Sequence, residues 1–314
     1  MKLLRTVPKN FALQQGAVAT IGNFDGIHRG HQTILKTLRA KATQLDLPMI
    51  VILFEPQPRE FFLKDKAPPR LSTLREKIHI LKEYGVDYVY CLRFNKQLAH
   101  MLPREFAEKM LFDRLHIHYL LIGDDFKFGR ERKGDVALLT QIAQQNNCLV
   151  ETAPECVMEQ KRISSTQIRE ALQESNFERV DVLLGRPYSI SGRVMYGDAR
   201  GREWGVPTAN IKVTQSTLPI RGVFCVQVER ADHSVFHGVA NIGLRPTLNG
   251  TKQVLEVHLF NINESLYGER LRVFFLHKLR DEVKFPSLDA LIAQIHADVL
   301  SAKAYFLSKS DLND

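Results

Sequence analysis

A change of rhythm near Leu184 constrains this chain more than any other feature. Before it, short apolar runs alternate with stretches whose apolar residues recur at helical spacing. GAVATIG (16–22), PMIVILF (48–54), VDYVYCLRF (86–94), IHYLLIG (117–123) and CLVETAP (148–154) read as strands. Between them HQTILKTLRAKATQL (31–45), STLREKIHILKEYG (72–85), PREFAEKMLFDRL (103–115) and DVALLTQIAQQNN (135–147) read as helices. This alternation predicts an α/β, parallel-sheet, Rossmann-like domain with helices on both faces and ligands beyond the carboxyl ends of the strands. After Leu184, six strand-like runs follow one another with only Gly, Asn, Asp or Pro turns between them: YSISGRVMYGD, TANIKVT, GVFCVQVER, SVFHGVANIG, QVLEVHLFNI and RLRVFFLHKL. They predict a small antiparallel β-barrel. SLDALIAQIHADVLSAKAYFL (287–307) predicts a closing C-terminal helix, and SKSDLND (308–314) a frayed end. The expected division is therefore 1–183 and 184–314.

At 314 residues the chain is long for one core and comfortable for two. With 44% hydrophobic and 25% charged residues it has the composition of a soluble globular protein. MIVILF (49–54) is too short to cross a bilayer and no signal peptide is evident, so no membrane partner is expected. Cys91, Cys148, Cys156 and Cys225 are scattered without a C-x-x-C. That excludes a familiar zinc ribbon, argues against a disulfide framework and fits a reducing cytoplasm. The net charge of +8 is dispersed, with no Lys/Arg block. It favours small anionic ligands slightly over nucleic acid. Residues 188–285 lack the aromatic-rich basic strand pattern of a nucleic-acid-binding barrel, so no nucleic-acid partner is expected.

IGNFDGIHRGHQ (21–32) places His28 and His31 where a strand turns into a helix. Gly22 and Gly26 permit the turn, Asp25 is a candidate cap, and Gly30 leaves room beside the imidazoles. A helix start offers free N–H groups and a positive dipole end, so two imidazoles there suit a phosphate. The bland alternative is a solvated helix start; a zinc site is disfavoured because no third ligand has recognisable spacing nearby. KRISSTQIREAL (161–172) sets Arg162, Ser164, Ser165, Thr166 and Arg169 ahead of a helical run. It reads as a second anion clamp or an ordinary Ser/Thr cap. GDDFKFGRERKG (123–134) follows a predicted strand, so Asp125 and Phe128 lie at the same sheet edge, for a ribose and a ring, or in a merely polar loop.

In the second half, GRVMYGDARGREWGVPTANI (192–211) carries Gly192, Gly197, Gly201 and Gly205 at turns or close approaches. Pro207 precedes Thr208 and Asn210, two oxygen-bearing side chains two residues apart, which suits a hard cation such as Mg²⁺ or an ordinary strand start. VLEVHLF (254–260) alternates: Leu255, Val257 and Leu259 share one face, Glu256 and His258 the other. Glu256 is either a general base or a solvated strand residue. No G-x-x-x-x-G-K-[ST] occurs, so this is not a P-loop kinase.

IGNFDGIHRGHQ, FEPQPREFF (54–62), GDDFKFG and ISSTQIR, in that order, resemble the adenylyltransferase module of the bacterial bifunctional riboflavin kinase/FAD synthetase family. His28, Gly30 and His31 match the H-x-G-H signature of the wider nucleotidyltransferase superfamily. GRPYSISGRV, GREWGVPTANI, GVANIGLRPTL, LEVHLF and LYGERLRVFFLHKLRDEVKF resemble that family's riboflavin kinase module. The resemblance implies two ATP-dependent activities, riboflavin to FMN and FMN to FAD with release of pyrophosphate. It implies His28 and His31 as catalytic, and Gly22, Phe24, Gly30, Asp125, Arg162, Ser164, Ser165, Thr166 and Arg169 on the ATP and phosphate side. Pro56, Pro58 and Phe128 fall on the flavin side. In the kinase it implies Gly192, Gly197 and Gly201 at ATP, Thr208 and Asn210 at Mg²⁺ and ATP, Glu256 as general base, and Arg280 near the flavin. REWGV is bulkier than the usual R-x-L-G-F, and Leu248 replaces a common aromatic. The alternative within the superfamily is a nucleotidyltransferase for another phosphorylated vitamin with an accessory barrel.

Overall fold

The computed structural model describes residues 1–6, 15–158, 161–197, 200–215, 217–247 and 250–310. They group into two compact units, Met1–Pro68 with Leu74–Ser164, and Pro69–Thr73 with Ser165–Asp314.

The first unit is built on six parallel strands, β1 (Lys2–Leu4), β2 (Ala17–Ile21), β3 (Met49–Glu55), β4 (Tyr88–Arg93), β5 (Ile117–Ile122) and β6 (Leu149–Thr152), ordered β1-β4-β3-β2-β5-β6. Strand β2 is buried on both sides. Ala17, Ala19 and Ile21 join one core with Ile50, Ile52 and Leu120, while Val18 joins another with Val51, Leu53 and Val89. The chain steps outward from β2 through β3 and β4 on one side and through β5 and β6 on the other. The order therefore reverses between β2 and β5, and a crevice at their carboxyl ends is the place for a ligand. A two-stranded hairpin follows, β7 (Val157–Met158) with β8 (Lys161–Arg162).

The predicted strands and helices of this half are present, with local differences. The run 103–115 contains a wider π turn over Ala107–Phe112. Elements not apparent in the pattern include β1, which pairs with β4, the hairpin, and the short helices Pro58–Leu63, Lys96–Ala99 and Phe177–Leu184. In β1 and the hairpin, runs of two or three residues carry too few side chains for a period to show.

The second unit holds six strands, β9 (Ser189–Met195), β10 (Ala209–Lys212), β11 (Gly222–Glu229), β12 (Val235–Thr247), β13 (Gly250–Leu259) and β14 (Arg270–Arg280). They close into a barrel in the order β10-β13-β12-β11-β14-β9 through antiparallel pairs. Closure removes the sheet edges. The helices Ser165–Gln173 and Phe177–Leu184 belong to this unit, and Phe177, 5% exposed, packs edge-on against Phe224 with centroids 5.9 Å apart. The C-terminal helix runs Leu288–Ser310, so Ser308, Lys309 and Ser310 are helical rather than frayed. It lies against the outer wall of the barrel, where Val299, Ala302, Tyr305 and Phe306 meet Val223, Cys225 and Val239.

Candidate active sites

In the first unit the turn between β2 and the helix Arg29–Leu45 has an unusual backbone. Phe24 (φ 47°), Gly26 (φ 82°) and Ile27 (φ 42°) are all left-handed, a conformation that costs a non-glycine residue free energy and persists only where the surroundings impose it. Phe24 and Ile27 are anchored in the core at 2% and 0% exposure. Lys77, itself 1% exposed, donates from Nζ to the Asn23 carbonyl at 2.8 Å. Sequence reasoning missed Lys77, because a lysine on an amphipathic helix ordinarily faces water.

The helix begins later than Asp25. His28 occupies the N-cap with extended backbone and makes no side-chain cap bond, so Asp25 is not the cap. The left-handed residues 26 and 27 delay the helical path by one turn. His28 is buried, and its ring stacks on that of His31, with centroids 3.8 Å apart and planes at 23°. Phe24 stacks in turn on His31 at 4.7 Å. A Cβ on Gly30 would lie 3.2 Å from His28 Cε1 and Nδ1, so the glycine accommodates the His28 ring itself. No acidic residue sits in the first helical turn.

Arg162 on β8 joins two of the predicted segments. Its Nη1 meets Asp124 Oδ1 at 2.9 Å and its Nη2 meets Asp125 Oδ1 at 3.0 Å, which ties the loop after β5 to the hairpin. Ser164 ends the first unit, whereas Ser165, Thr166 and Arg169 begin the second. There Arg169 donates to the carbonyls of Pro69 (2.7 Å) and Ser165 (3.0 Å). Pro56 follows a cis peptide, and Pro58 starts the helix Pro58–Leu63, which Gln57 and Glu60 close with a capping box. Phe128 is 5% exposed and packed against Phe106 and Phe126. Gly22 faces the Phe24 ring.

The second site is a cavity of about 480 Å³ between the barrel's outer wall and the C-terminal helix. That volume falls in the range of roughly 300–1,000 Å³ typical of small-ligand pockets. Strand register builds its polar wall. Asn210 lies opposite Glu256, Glu256 opposite Asn241, Asn241 opposite Val223, and Val223 opposite Arg280. Directly paired residues share a face, so this row crosses five strands, and all five line the cavity together with Thr208 and His258. Trp204, Val206, Val283, Phe285, Leu291 and Ile295 supply apolar surface for a planar ring.

Arg280 is held by the helix. Its Nε and Nη2 donate to Asp298 at 2.9 and 2.7 Å, and Gln294 donates to the same carboxylate at 2.9 Å. Asn241, Asp298 and Trp204 were not singled out from the sequence. Asn241 does carry the same signal as Glu256, a polar residue on the outward face of an alternating strand.

The glycines differ in role. A Cβ on Gly192 would collide with Ile211 and the Lys212 carbonyl, so it serves the close approach of β9 and β10. A Cβ on Gly197 would strike the Asn210 amide, and one on Gly201 the Val206 carbonyl, so these two keep the cavity's own wall open. Thr208 and Asn210 offer hard oxygen donors of the kind Mg²⁺ takes. Among the described residues no group of three His, Cys, Asp or Glu gathers to hold a metal unaided. Two such oxygens fit a hard cation that takes its remaining ligands from elsewhere.

A parallel α/β unit with paired histidines at its topological switch point, followed by a closed barrel with a carboxylate in the cavity between its wall and the C-terminal helix, defines a two-domain, two-site class of enzyme. Comparison with known proteins narrows the class. Residues 10–167 match the FAD synthetase family model, and residues 184–306 match that of riboflavin kinase. The chain is 47% identical to the bifunctional riboflavin kinase/FMN adenylyltransferase of Haemophilus influenzae over 98% of its own length and 100% of that protein. It is 44% identical to the protein of the same name from Escherichia coli K12, over 98% of both chains. A crystal structure from Streptococcus pneumoniae, described as a macrolide-efflux protein, superposes with a TM-score of 0.79 at 30% identity, over 95% of this chain and 97% of that one. Among the described residues no helix is long and apolar enough to cross a membrane. The chain belongs to the bifunctional riboflavin kinase/FMN adenylyltransferase family.

Proposed function

We infer that the chain makes FMN from riboflavin in the barrel cavity and FAD from FMN at the histidine turn, each step consuming ATP. The observation that carries this reading is the row Asn210–Glu256–Asn241 inside a cavity that also has an apolar wall. In the kinase step Glu256 accepts the proton of the riboflavin 5′-hydroxyl as its oxygen attacks the γ-phosphorus, and ADP leaves. Thr208 and Asn210 hold the Mg²⁺ of the nucleotide, which neutralises phosphate charge when bound. Gly197 and Gly201 shape the ATP side, while Gly192 lets β9 approach β10. Arg280, fixed by Asp298, faces the flavin side. Phosphoryl transfer needs mainly positioning and charge neutralisation, so a cavity without a P-loop suffices.

In the second step an FMN phosphate oxygen attacks the α-phosphorus of ATP and pyrophosphate leaves. His28 and His31 donate to the phosphates at the helix start and stabilise the charge that builds. Gly22, Phe24, Gly30, Asp125, Arg162 and Ser164 form the nucleotide side within this unit; Pro56, Pro58 and Phe128 form the flavin side. Residues 1–183 carry adenylylation and 184–314 carry the kinase. The setting is the cytoplasm, with small molecules rather than nucleic acid or membrane as partners.

The test is incubation with riboflavin, ATP and Mg²⁺, with chromatography of the flavins. FMN followed by FAD supports the assignment. Consumption of ATP only with another phosphorylated vitamin would favour the accessory-barrel alternative.

A further inference from the structure

We propose that His258 is a positioning residue of the kinase reaction, holding the Pro207 carbonyl so that Thr208 and Asn210 keep their place in the cavity. The proposal rests on the reading of this cavity as the kinase site.

Glu256 and His258 lie two residues apart on β13, so both side chains leave the same face and both line the cavity. The pairing of β10 with β13 runs Ile211 to Leu255, Asn210 to Glu256 and Ala209 to Val257. Thr208 and Pro207 lie one and two residues beyond this ladder. Proline has no N–H to donate to a neighbouring strand. The His258 ring meets the chain at this point, with Nδ1 2.8 Å from the Pro207 carbonyl oxygen. A carbonyl only accepts, so Nδ1 carries the proton and donates it.

Thr208 is thereby bracketed. On one side Ala209 is fixed by the strand register, and on the other Pro207 is fixed by the imidazole. Side-chain bonds that orient ligating groups typically contribute roughly 10- to 100-fold to metal affinity or activity. His258 does this for the two oxygen donors without touching the reacting atoms.

The test uses the full chain and three variants. Asn places an amide N–H close to the position of Nδ1, Gln places one close to Nε2, and Ala places none. In His258→Ala, kinase turnover falls and the Mg²⁺ concentration for half-maximal kinase rate rises, each by roughly 10- to 100-fold. The riboflavin KM stays near wild type. His258→Asn restores most of both losses, whereas His258→Gln does not. Adenylylation of supplied FMN is unchanged in all three, which confines the loss to the kinase reaction, and thermal melts show that the barrel unit is folded.

An Ala variant with wild-type Mg²⁺ dependence overturns the proposal. So does an Asn variant no better than Gln. If Ala fails to fold, the Asn and Gln pair decides alone. Failure of the wild-type chain to phosphorylate riboflavin would instead overturn the reading of the cavity.

Discussion

Asn210 on β10 lies directly opposite Glu256 on β13. The residue assigned to the nucleotide's cation and the residue assigned to the flavin hydroxyl are thus neighbours on one rung, although 46 positions apart in the chain. On the proposed reading of the cavity, this rung would set the proton acceptor beside the phosphoryl group it serves. Glu256→Gln keeps the size and removes the basicity. Kinase turnover should fall by roughly 10²- to 10⁴-fold, while adenylylation of supplied FMN stays at wild-type rate. Two assays on one variant check this, and a nearly normal kinase rate would make Glu256 a strand residue only.

The stacked imidazoles give a second test. His28→Ala with His31→Ala should reduce FAD formation by at least about 10², and FMN should accumulate from riboflavin. Chromatography of the products distinguishes this from general loss of fold, which would stop FMN as well.

Trp204 is the sole tryptophan of the chain and lines the barrel cavity. Riboflavin bound there should quench its emission, saturably. The His28→Ala, His31→Ala variant should show the same quenching curve, because its changes lie in the other unit. Unquenched emission at saturating riboflavin would place the flavin elsewhere.

Asp298 and Arg280 lock the C-terminal helix to β14, with side chains 7% and 22% exposed. Removing one member leaves the other charge poorly solvated. Asp298→Ala should destabilise the barrel unit by about 3 kcal/mol. Arg280→Lys should lose part of this, because an ammonium cannot bridge both oxygens. Urea denaturation of both variants gives the comparison.

The barrel should fold better from residue 165 than from residue 184. Burial of Phe177 against Phe224 is worth roughly 1.5–3 kcal/mol, and the shorter fragment forfeits it together with buried Val180 and Leu183. Thermal melts of the two fragments, with their kinase rates, test both the packing and the independence of the site. Equal melting temperatures would mean that these helices contribute nothing to the barrel.

Acid should loosen the packing of the C-terminal helix. His237 stacks on Phe306 with centroids 4.0 Å apart, and burial holds its pKa below the ordinary 6.5. The unfolded chain therefore binds this proton more readily than the folded one. Stability is unaffected well above pH 6.5, falls as the pH drops below that value, and levels off once the folded ring also protonates. His237→Phe should flatten the dependence of the melting temperature across that window.

Sequence alone determined the two folding rhythms, the histidine turn and the face of β13 that carries Glu256. These are local properties: a period of 3.6 or 2 records which side of an element is buried, and a strand–glycine–helix turn records its own backbone demands. Family resemblance supplied the reactions. Tertiary structure decided the rest. Asn241 joins Asn210 and Glu256 only because closing the barrel sets three strands in one register, and a register shift of one residue would turn every side chain to the other face. Asp298 meets Arg280, and His258 meets Pro207, only where the helix and the strand connection come to rest against the barrel wall. Lys77 is buried because the left-handed turn brings the Asn23 carbonyl over it. The helices 165–173 and 177–184 joined the barrel unit for the same reason: their apolar faces had no local preference between two cores, and contacts distant in the chain made the choice.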